Sequence, residues 1–102
     1  MEDRRTGKRV RLNLRTRWET LTTQGRGMVS DLSSTGCFVL SGGDVNSGEL
    51  TRLEIHFPEG VVSLWGEVVY SMAEMGFAIR FKFAGEKERR SLDKLIESSI
   101  QR

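Results

Sequence analysis

Two clusters in this sequence have the residue types and spacing to do chemistry. The first is "RRTGKR", residues 4 to 9, where Arg4, Arg5, Lys8 and Arg9 put four cations into six positions. Residues 1 to 18 hold seven basic side chains against two acids, a charge of +5, and the remaining residues hold nine against twelve, a charge of −3. A concentrated basic arm of this kind attracts an anion, above all phosphate. Six of the seven cations are arginine, whose planar fork favours bidentate bonds over simple charge attraction. The second cluster is "DLSSTG", residues 31 to 36, a polar run ending in glycine that feeds straight into the apolar "CFVL". It reads either as a surface turn, with Asp31 and Ser33 bonding their own backbone, or as a ligand rim built on a sheet.

Little else in the chain offers reactivity. His56 falls out of phase with Leu53, Ile55 and Phe57, so it points to solvent, with no second histidine to share a metal. Cys37 lies among apolar neighbours and reads as a small core residue, not an activated thiolate. The methionines read as gap-fillers. There is no Ser/His/Asp set, no phosphate-cradling glycine loop and no pair of carboxylates placed for acid–base work. No catalytic residue, metal ligand or cofactor is assigned, and the chain is not expected to be an enzyme.

The elements that must position these clusters are mostly strands. In "VRLNLRTRW" Val10, Leu12, Leu14, Thr16 and Trp18 share one face, and Arg11, Asn13, Arg15 and Arg17 the other. "GRGMVSDL", "GCFVLS" and "LTRLEIHF" continue the pattern, the last stopped by Pro58 and Gly60. "VVSLWGEVVY" and "MGFAIRFKF" form a hairpin-like pair across "SMAE", with Phe77, Ile79 and Phe81 inward and Arg80 and Lys82 outward. Trp65 falls opposite Leu64 and Val68 and is expected to be partly exposed. After Gly85 the period changes. Leu92, Leu95, Ile96 and Ile100 make one stripe at helical spacing, with Glu86 and Glu88 in the first turns and Arg102 at the end, which suits the helix dipole. Six short strands and a terminal helix without βαβ alternation predict a mainly β domain, an antiparallel barrel or sandwich closed by a helix. At 102 residues and 37% hydrophobic the chain is one soluble domain. No apolar run approaches the roughly 18 residues that cross a bilayer, there is no secretory signal, and the single cysteine fits a cytoplasmic protein.

Taken together, the two clusters resemble the signature of PilZ domains. "RTGKR" matches the RxxxR motif through Arg5 and Arg9. "DLSSTG" matches [D/N]xSxxG through Asp31, Ser33 and Gly36. "MGFAIRF" is similar to the family's glycine-led final strand, and the resemblance runs over about residues 4 to 97. It implies a six-stranded antiparallel β-barrel with a C-terminal α-helix that binds the bacterial second messenger cyclic di-GMP. On this reading residues 1–9 are a flexible basic arm and residues 10–102 a single barrel domain with its helix at 86–100. The implied ligand-binding residues are Arg4, Arg5, Arg9, Asp31, Ser33 and Gly36. Arginine forks would bond phosphate or a guanine edge. Asp31 would accept from guanine N1–H and N2–H together. Ser33 would supply a small donor and acceptor, and Gly36 would let backbone pass close to the ligand or take φ > 0. Arg4, just before RxxxR, leans towards a stacked pair of ligands and so allows a ligand-linked dimer. The implied output is a conformational change read by an unidentified effector protein, with no membrane insertion and no nucleic-acid partner expected. Two rival readings stand beside it: a small basic barrel for RNA or single-stranded DNA, with Trp65 and Phe38 as its exposed aromatics, and a PilZ-like adaptor that binds only protein.

Overall fold

In the computed structural model, which describes residues 10–83 and 85–100 without the side chain of Ile100, the alternating segments pair into a closed barrel. The strands are β1 (Val10–Glu19), β2 (Gln24–Leu32), β3 (Gly36–Leu40), β4 (Leu50–Phe57), β5 (Gly60–Met72) and β6 (Gly76–Lys82). One helix follows, α1 (Glu86–Ile100). All pairings are antiparallel and run β1-β2-β3-β6-β5-β4, with β4 returning to β1. Closure leaves no strand edge to template aggregation. Between the expected barrel and sandwich, the structure selects the barrel. The expectations for Arg4, Arg5, Lys8 and Arg9, for the arm, for the Ile100 side chain and for Arg102 lie outside the described residues.

The inward phase of each strand fills the barrel. Leu53, Ile55 and Phe57 from β4 and Phe77, Ile79 and Phe81 from β6 are buried, as their alternation predicts. Trp18 from β1 meets Phe77 edge-on, with ring centroids 5.2 Å apart. Its indole N–H donates to Ser41 Oγ at 3.0 Å, so the polar end of a buried ring is satisfied. Gly43 makes room for that ring, because a Cβ there would lie 2.0 Å from an indole carbon. The helix adds Leu92 and Ile96 to the same core, with Leu95 at its margin. Among the described residues no helix is long and apolar enough to cross a membrane.

Two irregularities decide what the outer surface carries. Val29 pairs with Val39, but Asp31, not Ser30, pairs with Phe38, so β2 holds one extra residue there. Likewise Val68 pairs with Ile79 and Tyr70 pairs with Ala78, leaving Val69 extra in β5. A bulge resets the side-chain phase by one residue. Val29 and Leu32, three apart, can therefore both be buried while Asp31 between them turns outward. Tyr70, two residues after the inward Val68, is turned out in the same way.

Candidate ligand-binding groove

The two bulges lie at opposite ends of one cross-strand row. Asp31 pairs with Phe38, Phe38 with Ala78 and Ala78 with Tyr70, so four outward side chains line up across β2, β3, β6 and β5. The neighbouring outward row runs from Gly36 to Arg80 to Glu67. Over these rows lies a groove of about 540 Å³ whose wall includes Asp31, Ser33, Gly36, Phe38, Tyr70 and Arg80. Phe83 and Arg89, flanking the start of α1, close one side of it. The volume falls within the usual range for small-molecule sites.

The three motif residues that are described thus converge on one groove, by different local means. Asp31 belongs to the end of β2, as the strand reading of "GRGMVSDL" expects, and the turn begins after Leu32. Its side chain is 38% exposed, and among the described residues it pairs with Arg11, 3.9 Å away and almost fully exposed. That pair is long, exposed and screened by solvent. Ser33 is buried, and its hydroxyl is occupied locally. It accepts from the Thr35 backbone N–H at 3.2 Å and shares a bond with the Thr35 hydroxyl at 3.0 Å. The backbone N–H of Ser33 donates to the Gly36 carbonyl at 3.0 Å. Ser33 therefore holds the turn between β2 and β3. The turn reading holds for Ser33, and the turn also forms part of the groove wall.

Gly36 is needed for a different reason from the positive φ anticipated as one option; its φ is not in that region. A Cβ there would lie 2.1 Å from the Ile79 carbonyl oxygen, so only glycine lets β3 start this close to β6. Cys37, next along, is buried, and desolvation pushes its thiol up to about 12, so it stays protonated and inert at neutral pH. Phe38, Tyr70, Arg80 and Arg89 are groove residues that the motifs do not mark. The outward phase of Arg80 is readable from β6, but its place opposite Gly36 depends on β3 pairing with a strand far along the chain.

The start of β1 adds the last element. Val10 pairs with Leu32 and Arg11 with Asp31, so the chain enters the barrel beside the groove. Arg9 is covalently next to Val10. On the other side of the barrel, Arg17, Arg26 and Arg52 alternate with Glu19 and Glu54 around a second, smaller hollow. Trp65 is 49% exposed and pairs with Arg52 and Lys82, outside the groove. Among the described residues no cluster of three His, Cys, Asp or Glu side chains could hold a metal.

Comparison with known proteins agrees with this fold. The PilZ domain of CeSA from a cellulose-synthesizing bacterium superposes with a TM-score of 0.73 at 13% identity, covering 89% of this chain and 96% of that one. The K. pneumonia MrkH–c-di-GMP complex gives 0.74 at 17% identity, covering 98% and 53%. The Bacillus subtilis inhibitor of motility, MotI/DgrA, gives 0.69 at 19% identity, covering 99% and 54%. At these identities the likeness is one of fold, and the chain spans about half the length of MrkH and MotI/DgrA. No curated protein sequence matches it. The PilZ domain family itself matches residues 3–98. With that match over nearly the whole chain, and the six-stranded barrel beneath it, this chain belongs to the PilZ domain family of ligand-binding receptors.

Proposed function

We propose that this chain is a cyclic di-GMP receptor that changes conformation on binding and signals through a separate effector protein. One observation carries the reading. Asp31, Ser33 and Gly36 converge on a groove beside which β1 begins, one residue after Arg9. Cyclic di-GMP offers two phosphates and two guanines, and the residues divide accordingly. Arg5 and Arg9, and Arg4 before them, supply forks for phosphate or a guanine O6/N7 edge. Asp31 accepts the paired N1–H and N2–H donors that guanine presents and adenine does not. Family membership and the fold shared with c-di-GMP-bound MrkH support the same ligand.

The mechanism is electrostatic. Without ligand, Arg4, Arg5, Lys8 and Arg9 repel one another; ligand phosphate cancels that repulsion and draws the segment onto the groove. The new surface, part arm and part barrel, is what an effector reads, in the cytoplasm where this messenger acts. The start of α1 also borders the groove, through Arg89 and the preceding Phe83, giving a second route by which occupancy can be sensed.

Calorimetry with cyclic di-GMP, run against GTP and a random oligonucleotide, tests the proposal. The expected result is a dissociation constant in the micromolar range or tighter, roughly −8 kcal/mol, with no comparable heat from either control. Folded protein that gives no heat with ligand at about 100 µM would overturn it. Preferential oligonucleotide binding would favour the nucleic-acid reading, with Trp65, Arg52 and Lys82 as its natural site.

A further inference from the structure

The motifs account for one side of the groove. The other side, built by β5 and β6, carries the chemistry of a base platform. Phe38 and Tyr70 stand two strands apart with Ala78 between them in register. Because Ala78 is small, the two rings meet over it, their centroids 6.3 Å apart and their planes inclined by 41°. Tyr70 is 50% exposed, although unbroken alternation from Val68 would bury it; the extra residue Val69 turns it out. The result is a continuous aromatic surface facing a groove instead of the core.

Arg80 stands in the adjacent row, opposite Gly36, whose missing side chain leaves the space over β3 open. Its register neighbour on β5 is Glu67, but that carboxylate is taken by Lys82 at 3.1 Å. Among the described residues no carboxylate pairs with Arg80. An aromatic surface beside an uncompensated guanidinium is the arrangement that holds a nucleobase and the phosphate attached to it.

We infer that Phe38, Tyr70 and Arg80 form the second half of the site, a proposal that rests on the cyclic di-GMP reading. One guanine stacks on the Phe38–Tyr70 surface with its Watson–Crick edge towards Asp31, the next residue in the row. Arg80 bonds the phosphate of that nucleotide. Stacking is indifferent to base identity, so this half supplies affinity while Asp31 supplies the preference for guanine.

The test is cyclic di-GMP titration of the full chain and its variants at several salt concentrations, with thermal melting alongside. Tyr70→Ala is expected to weaken binding about tenfold or more, the usual effect of removing a stacking platform, and to leave the salt dependence unchanged. Tyr70→Phe should stay within about twofold of wild type, whereas Tyr70→Leu, which keeps bulk without a π face, should fall with alanine. Arg80→Ala should weaken binding about tenfold and flatten its salt dependence, because a phosphate contact is lost. If Tyr70→Ala and Tyr70→Leu lower only the melting temperature and bind like wild type, the rings are a sheet-stabilising pair and the inference is wrong. Wild-type protein that binds while only Asp31→Ala fails would overturn this half of the site alone. Wild-type protein that does not bind at all would remove the receptor reading and this inference with it.

Discussion

The barrel has two walls whose outward residues solve the same problem differently. On the β1–β4 wall, Arg17 stands opposite Glu54 and Glu19 opposite Arg52, so charges of opposite sign face one another across the strands. Thr16 and Trp18 alternate with them into the core without interruption. On the β2–β3–β6–β5 wall one outward row sets Asp31 beside Phe38, Ala78 and Tyr70, and the next sets Arg80 between Gly36 and Glu67, whose carboxylate is ion-paired with Lys82. Two bulges, at Ser30 and Val69, are what put Asp31 and Tyr70 there. The difference teaches where to look for function: not where regular alternation sets opposite charges across from one another, but where broken alternation turns a carboxylate and an aromatic ring out onto a groove.

That contrast can be broken in graded ways. The largest effect should come from the core that both walls share. Phe77 is fully buried against Trp18, and Phe77→Ala should cost about 3–5 kcal/mol, measured by denaturant unfolding. A loss under about 1 kcal/mol would mean that the core closes over the gap and that the walls are less rigid than described. Next comes Gly36→Ala, which forces a methyl group against the Ile79 carbonyl and should cost about 1–3 kcal/mol by separating β3 from β6. Because that seam carries Arg80, ligand affinity should fall with it. Unchanged affinity would show that the seam does not shape the groove. The smallest effect is expected on the opposite side, where Trp65→Ala should change stability by under about 0.5 kcal/mol and leave cyclic di-GMP affinity unaltered. A clear loss of affinity there would place the ligand on the wrong wall.

Much of this was legible in the residues. Period-two alternation marked β1, β4 and β6 with their inward faces, and the change to helical spacing marked α1. The outward phases of His56 and Trp65 and the burial of Cys37 also follow from local pattern. That Asp31, Ser33 and Gly36 come together at one groove was readable through the motif they match. What escaped is non-local. Nothing in "GCFVL" or "GFAIRF" states that β3 pairs with β6, yet that pairing alone sets Arg80 over Gly36. The role of Gly36 was likewise hidden, since its constraint is a carbonyl more than forty residues away. The exposure of Tyr70 depends on where β5 slips by one residue against β6. A local signal for such slips did exist in "MVSDL", where two apolar residues three apart cannot share one face of a regular strand. Trp18 is a third case, since its indole rests on Ser41 and Gly43, which follow β3 outside any regular element.

The central claim is that the basic segment before β1 and the acidic end of β2 hold one ligand together. A double-mutant cycle on cyclic di-GMP affinity tests it most directly, using Arg9→Ala, Asp31→Ala and the double variant, all checked for an unchanged melting transition. Each single change should cost about 2 kcal/mol or more, roughly thirtyfold, because it leaves a charged or polar ligand group unpaired. The double variant should lose clearly less than the sum, since releasing one clamp already weakens the other. Asp31→Asn, which still accepts one bond, should lose less than Asp31→Ala. Strict additivity, or an Asp31→Ala variant that binds like wild type, would contradict the account: the segment and the groove would then be separate features of the surface and not one site.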